Sequence, residues 1–224
     1  MFQQDQIEEL AAYASEAYSD EPITGELISV GNVQATLWDR ESHVVLAFRG
    51  TEPDVVADIL TDLDVRKVDD NGGQAHAGFL AAYETIEMQI LDRLTSGNML
   101  QGKDLWITGH SMGGAIATIA AYRLGCVMCV TFGSPRVGDR RWARAFNAKL
   151  VGKVFRVVNS VDLVSRVPSF LRFRHVGIPV LLTSAGVWIQ PGIITRVRNI
   201  LWCLMTGRFG RSHSITEYLR ELSK

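Results

Sequence analysis

One serine in this chain has neighbours that suit a nucleophile. Ile107-Thr-Gly109-His110-Ser111-Met112-Gly113-Gly114 is a G-x-S-x-G sequence between an apolar run, Leu105 to Thr108, and an Ala-rich stretch with helical spacing from Ser111 to Leu124. A serine at a sharp strand-to-helix turn projects its Oγ above a sheet, and flanking glycines leave room for the turn. The following helix directs its dipole and free N–H groups at an anion formed during acyl transfer. A hydroxyl is a poor nucleophile until an imidazole accepts its proton, and the imidazole needs a carboxylate to fix its tautomer.

Where the nucleophile sits on such a turn, the acid and then the histidine follow it in the chain. His175 and His213 are the only downstream histidines. His175 lies in the apolar, strand-like run Phe173 to Leu182, where a structural role is expected. His213 directly precedes Ser214-Ile-Thr-Glu217, a capping-box pattern that starts a helix, and is the preferred base. For the acid, Asp162 follows the apolar strand Val154 to Val158, at the edge where parallel sheets build their sites. Asp139 is the rival, but its setting resembles the N-cap of a helix from Asp139 to Leu150.

The elements that would position these residues are legible from periodicity. Ile7, Leu10, Ala11, Ala14 and Tyr18 recur at helical spacing; Val33, Ala35 and Leu37 alternate as in a strand at a sheet edge; Val44 to Phe48 reads as a strand covered on both faces. Phe79, Tyr83, Ile86, Ile90 and Leu94 form a helical stripe stopping at Gly97, and Val127 to Phe132 reads as another buried strand. Strands alternating with helices predict an α/β fold with a mostly parallel central sheet and helices on both faces. The 224 residues, 47% hydrophobic and 21% charged, suit one domain spanning 1–224.

With 23 basic and 24 acidic side chains the net charge is -1, so no net positive field exists to gather nucleic acid. Cys126, Cys129 and Cys203 are too few for a disulfide framework, and the Cys126–Cys129 pair falls in a buried-strand pattern, which argues against a metal or redox role. No apolar h-region follows the polar first residues, so no Sec signal is expected, leaving a cytoplasmic protein or export by a signal-independent route.

In sequence order, Phe48-Arg-Gly-Thr51, His76-Ala-Gly-Phe79, Thr108-Gly-His-Ser-Met-Gly-Gly114, Val130-Thr-Phe-Gly-Ser-Pro-Arg-Val-Gly138, Asn159-Ser-Val-Asp162 and His213 with Tyr218 resemble motifs of the class 3 lipases, the fungal-lipase-like family of the α/β-hydrolase superfamily. The resemblance runs from about Val44 to Tyr218. It implies an α/β-hydrolase fold, a triad of Ser111, Asp162 and His213, and an oxyanion hole from Thr51 and the N–H of Met112. No metal and no organic cofactor are implied. The chain departs from the family at Ile59-Leu-Thr-Asp62-Leu63 and at Asp162-Leu-Val-Ser-Arg-Val-Pro168, which bears on the site entrance rather than on the triad.

The implied activity is a serine carboxylic-ester hydrolase acting on lipid esters, an acylglycerol lipase. Phospholipase A, feruloyl-type esterase and a hydrolase-like binding protein without turnover are the alternatives. Val55, Val56, Ile59, Leu60 and Leu63 share a helical face where the family carries a lid, so Val55 and Ile59 are candidate substrate contacts; a core helix would show the same stripe. Ile193, Ile194, Val197, Ile200, Leu201, Leu204 and Met205 form a second stripe among Arg196, Arg198, Arg208 and Arg211. Leu201 is thereby a candidate acyl contact, and the stripe reads as cap, core or a face toward a membrane or lipid droplet. Oligomeric state is left open.

Overall fold

The structure is a computed structural model and describes residues 4–51, 66–159, 162, 164–168, 171–183, 186–192 and 213–223. The first helix, α1 (Gln4–Glu16), buries Ile7, Leu10, Ala11 and Ala14 along one stripe. Three strands follow, β1 (Glu26–Val30), β2 (Val33–Asp39) and β3 (His43–Phe48). A small hairpin, β4 (Lys67–Asp70) and β5 (Gly73–His76), leads into α2 (Ala77–Thr95). Strand β6 (Asp104–His110), α3 (Met112–Leu124), β7 (Met128–Phe132), α4 (Arg140–Lys149) and β8 (Val154–Asn159) then alternate. Beyond a 3-10 turn at Val164–Arg166 come β9 (Ile178–Thr183), β10 (Gly186–Ile189) and α5 (Ile215–Leu222).

Among the described residues eight strands form one sheet in the order β1-β2-β3-β6-β7-β8-β9-β10, while β4 and β5 pair separately. The run from β3 to β9 is parallel, and β1, β2 and β10 join it antiparallel. Two apolar layers flank the sheet. One packs Phe79 and Ile86 of α2, Ile116 and Ile119 of α3 and Trp142 and Phe146 of α4. The other packs Ile7 and Leu10 of α1 with Tyr218 and Leu222 of α5. Every residue from Val44 to Phe48 is fully buried, which explains why that strand lacks alternation. The small residues of α3 serve the same end: buried from Gly113 to Tyr122, this helix packs against β6 and β7 on one side and α2 on the other.

Two expectations need correction. The strand at Val33 is not the sheet edge, because β1 covers it and β2 is buried from Ala35 to Trp38. The run Phe173 to Leu182 is strand only from Ile178, since Gly177 at φ 73° breaks extended backbone, so His175 lies in the approach to β9. The expected lid segment with Val55 and Ile59, and the stripe with Leu201, lie outside the described residues. Cys126 and Cys129 are buried; burial pushes the Cys126 thiol up to about 12 and Cys129 well above its usual value. Among the described residues no helix is long and apolar enough to cross a membrane.

Candidate active site

At the end of β6 the chain reverses into α3 through Ser111, held at φ 56° and ψ -127°. A non-glycine residue at positive φ is strained and persists only where its surroundings over-determine it. Here they do. A Cβ on Gly109 would lie 2.4 Å from the Gly113 carbonyl oxygen, and one on Gly113 would lie 2.2 Å from the carbonyl oxygen of Phe48 on the neighbouring strand. The Ser111 N–H donates to the Phe132 carbonyl (2.9 Å), tying the turn to β7 as well.

Met112 opens α3, and N–H groups in a first helical turn have no acceptor within the helix. Thr51, just past the end of β3, donates its hydroxyl to the Met112 sulfur at 3.7 Å. The two residues expected to bind an oxyanion thus adjoin each other beside Ser111.

The histidine reaches the serine from the far end of the chain. His213 Nε2 lies 2.8 Å from Ser111 Oγ, and its Nδ1 lies 2.8 Å from Asp162 Oδ2. A carboxylate only accepts, so Nδ1 carries the proton and Nε2 offers its lone pair to the serine hydroxyl. Asp162 is buried and held on both oxygens: Oδ2 also accepts from the Tyr218 hydroxyl (2.6 Å), and Oδ1 accepts from the Val164 N–H (2.8 Å). Tyr218 in turn accepts from the Asn159 N–H at 3.0 Å. Burial, then the charge of Asp162, holds the Tyr218 pKa well above its usual value, so the phenol stays a donor. Gly133, at φ 58°, makes room for this pair, since a Cβ there would lie 2.6 Å from Asp162 Oδ2.

A second histidine supports the first from behind. The His110 Nε2–H donates to the main-chain carbonyl of His213 (2.5 Å), and its Nδ1 accepts from the Tyr18 hydroxyl (2.8 Å). The two imidazoles sit 4.7 Å apart. Burial, and then the neighbouring His213, lowers the His110 pKa to about 3, keeping the ring neutral in the tautomer these bonds require. Neither His110 nor the Tyr218–Asp162 bond emerged from the sequence reading, although His110 stands inside the serine motif and Tyr218 five residues past His213.

The rival residues are elsewhere. His175 Nε2 donates to the Ser165 carbonyl (2.7 Å), and the Ser165 hydroxyl donates to the Asp162 carbonyl (2.9 Å), so His175 braces the loop of the acid. Burial, then Arg156 and Arg136, holds its pKa well below the usual value. Asp139 caps α4, accepting from the N–H of Trp142 (2.8 Å) and of Gln74 (3.3 Å).

A mostly parallel sheet with a strained serine between strand and helix, an imidazole against its oxygen and a carboxylate behind the imidazole defines the α/β-hydrolase class. The sequence profile of the family described as lipase (class 3) matches residues 45–171, and the chain belongs to that family. It is 30% identical over 165 residues to the secreted mono- and diacylglycerol lipase LIP4 of Malassezia restricta, covering 66% of this chain and 52% of that protein. It is 32% identical over 148 residues to the chloroplastic phospholipase A(1) DAD1 of Arabidopsis thaliana, covering 59% of this chain and 32% of that protein. The solved structure of lipase II from Rhizopus niveus is similar with a TM-score of 0.67 and 26% identity, over 84% of this chain and 85% of that one. The chain spans about half the length, or less, of these two curated relatives.

Proposed function

We propose that this protein is a serine carboxylic-ester hydrolase that cleaves acylglycerols, with Ser111 as nucleophile, His213 as base and Asp162 as the group that orients it. The observation that carries the reading is the unbroken line of two 2.8 Å contacts from Ser111 Oγ through His213 to Asp162 at a strained turn. Ser111 Oγ attacks the ester carbonyl carbon as its proton passes to His213 Nε2. The tetrahedral oxyanion is met by the Met112 N–H and by Thr51; losing one such donor typically costs ~100-fold to 1,000-fold in rate. The carbon–oxygen bond to the alcohol breaks, and His213 returns the proton to the leaving alkoxide. Water then repeats the sequence on the acyl-enzyme, and His213 ends neutral. The reaction so written asks for no metal or organic cofactor.

The names of the relatives support lipid esters as the substrate class, with acylglycerol and phospholipid both represented among them. Such substrates reside in aggregates, so contact with a membrane or lipid-droplet surface belongs to the same proposal. The test is a panel of mono-, di- and triacylglycerols, phosphatidylcholine, a feruloyl ester and p-nitrophenyl butyrate, assayed with the wild type and Ser111→Ala. Turnover of acylglycerols that vanishes in Ser111→Ala is expected. Cleavage of phosphatidylcholine or the feruloyl ester alone would move the assignment to phospholipase A or feruloyl-type esterase. A folded protein that hydrolyses none of the panel would overturn the enzyme reading in favour of a binding role.

A further inference from the structure

Met112 meets the site through its main chain and again through its side chain. Its N–H lies in the first turn of α3, next to Ser111. The side chain is partly buried and packs against the layer of α2, α3 and α4. Its sulfur stands 3.7 Å from Thr51 Oγ1 and accepts from that hydroxyl.

The fold brings the two groups together. Side chains on a helix lean toward its N-terminus, so that of Met112, the first residue of α3, lies over the turn that carries Ser111. The end of β3 is pressed onto the same turn: a Cβ on Gly113 would lie 2.2 Å from the carbonyl oxygen of Phe48 and 2.8 Å from that of Arg49. Thr51 follows Arg49 by two residues and so reaches the Met112 sulfur.

Threonine carries a hydroxyl and a methyl on one carbon, and the rotamer decides which of them faces the site. The bond to sulfur selects the rotamer that presents the hydroxyl. That hydroxyl has a single hydrogen, so whatever holds it at rest competes with the oxyanion for it. A thioether is a weak acceptor. A hydrogen bond to an ionised oxygen is roughly twice as strong as one between neutral groups. Exchanging the first for the second favours the transition state over the ground state, which is the kind of interaction that lowers a barrier. An oxygen acceptor in place of the sulfur would orient the hydroxyl equally well and resist giving it up.

We propose that the Met112 thioether is a positioning group for the Thr51 hydroxyl, holding it toward Ser111 at rest and releasing it to the oxyanion in the transition state. This rests on the ester-hydrolase reading above, in which Thr51 serves the oxyanion.

The test is the kinetics of p-nitrophenyl butyrate hydrolysis before and after hydrogen peroxide, with methionine oxidation followed by peptide mass spectrometry. Peroxide gives one oxygen atom to the sulfur and leaves as water, and the sulfoxide formed is polar. Met88, 71% exposed, reports that the treatment works. Once Met112 is a sulfoxide, the wild-type kcat should fall toward that of Thr51→Val, ~100-fold or more below the untreated enzyme, and a methionine sulfoxide reductase should restore it. Met112→Leu keeps the N–H and nearly the volume but frees Thr51 among three rotamers; its kcat should start about 3-fold low with KM unchanged and lose nothing further to peroxide. Thr51→Ser, which keeps a hydroxyl, should stay sensitive to peroxide. Thr51→Val should be insensitive and should show no added effect of Met112→Leu. Full activity of the wild type carrying the Met112 sulfoxide would overturn the proposal, as would equal peroxide loss in Met112→Leu or an effect of Met112→Leu that persists in Thr51→Val. If Met112 resists peroxide, the cycle of Met112→Leu with Thr51→Val decides alone. Those results would leave the hydrolase reading intact, whereas an untreated wild type that cleaves no ester would refute that reading and this proposal together.

Discussion

The turn that carries Ser111 and the pair that faces it, Asp162 and His213, are built by different means. Around Ser111 the constraint is backbone against backbone: two absent Cβ atoms, a carbonyl of β3 within 2.2 Å of where one would be, and one strained φ. Around Asp162 and His213 the constraint is a web of side-chain hydrogen bonds whose members come from four parts of the chain, Tyr18, His110, Ser165 and Tyr218. A site of the first kind tolerates no change of shape, whereas one of the second kind loses function in graded steps.

The sharpest break in that comparison is Gly113→Ala. Its new methyl would press on backbone atoms of Phe48 and Arg49, which have no rotamer to escape into. A loss of ~3 kcal/mol or more is expected, in the range reserved for backbone clashes in a core, and denaturant unfolding of the soluble fraction would measure it. Near-wild-type stability would mean the turn is looser than its geometry implies. On the other side, Asp162→Asn should keep the fold and lower kcat ~10,000-fold, because an amide that donates toward His213 supports the wrong tautomer. Asp139→Asn should leave kcat near wild type, and the reverse pattern would move the acid to α4.

A smaller effect is expected from His110→Phe, which keeps an aromatic ring of similar volume and removes both hydrogen bonds. The His213 main chain would then be free to drift, and misplacement near 1 Å costs up to ~100-fold in rate. The loss should fall on kcat for a dissolved ester with KM little changed, a split that a purely structural role would not produce. The smallest effect is on stability against pH. His110 and His175 have folded pKa values below the ~6.5 of an unfolded histidine, so between those values the unfolded chain binds the extra protons. Stability therefore falls as the pH drops below ~6.5, by up to ~1.4 kcal/mol per pH unit for each such histidine. Thermal unfolding at pH 7 and pH 5 should show the decline, and His110→Phe should make it shallower.

The same contrast explains what could be read from the sequence. The turn was legible because its glycines, Gly109 and Gly113, stand two residues either side of Ser111, although the carbonyls it packs against, Phe48 and Phe132, are distant in the chain, and the buried strands β3, β6 and β7 announced themselves by apolar runs. Asp162 and His213 were legible as types in the right order, with His175 and Asp139 set aside by their local patterns. The role of His110 was hidden, because its partners Tyr18 and His213 lie 92 and 103 residues away in the chain. Strands β4 and β5 were missed through their polar composition, although Asn71 and Gly72, both at positive φ, are the pair that a tight hairpin favours.

The central claim is that the backbone-built turn and the hydrogen-bonded pair act on one oxygen, Ser111 Oγ. Labelling with a fluorophosphonate probe, followed by mass spectrometry of the modified peptide, tests this most directly. One label per chain on the peptide containing Ser111 is predicted, none in Ser111→Ala, and labelling slowed by orders of magnitude in His213→Ala. Labelling that persists in Ser111→Ala, or that proceeds at the wild-type rate in a folded His213→Ala protein, would contradict the account.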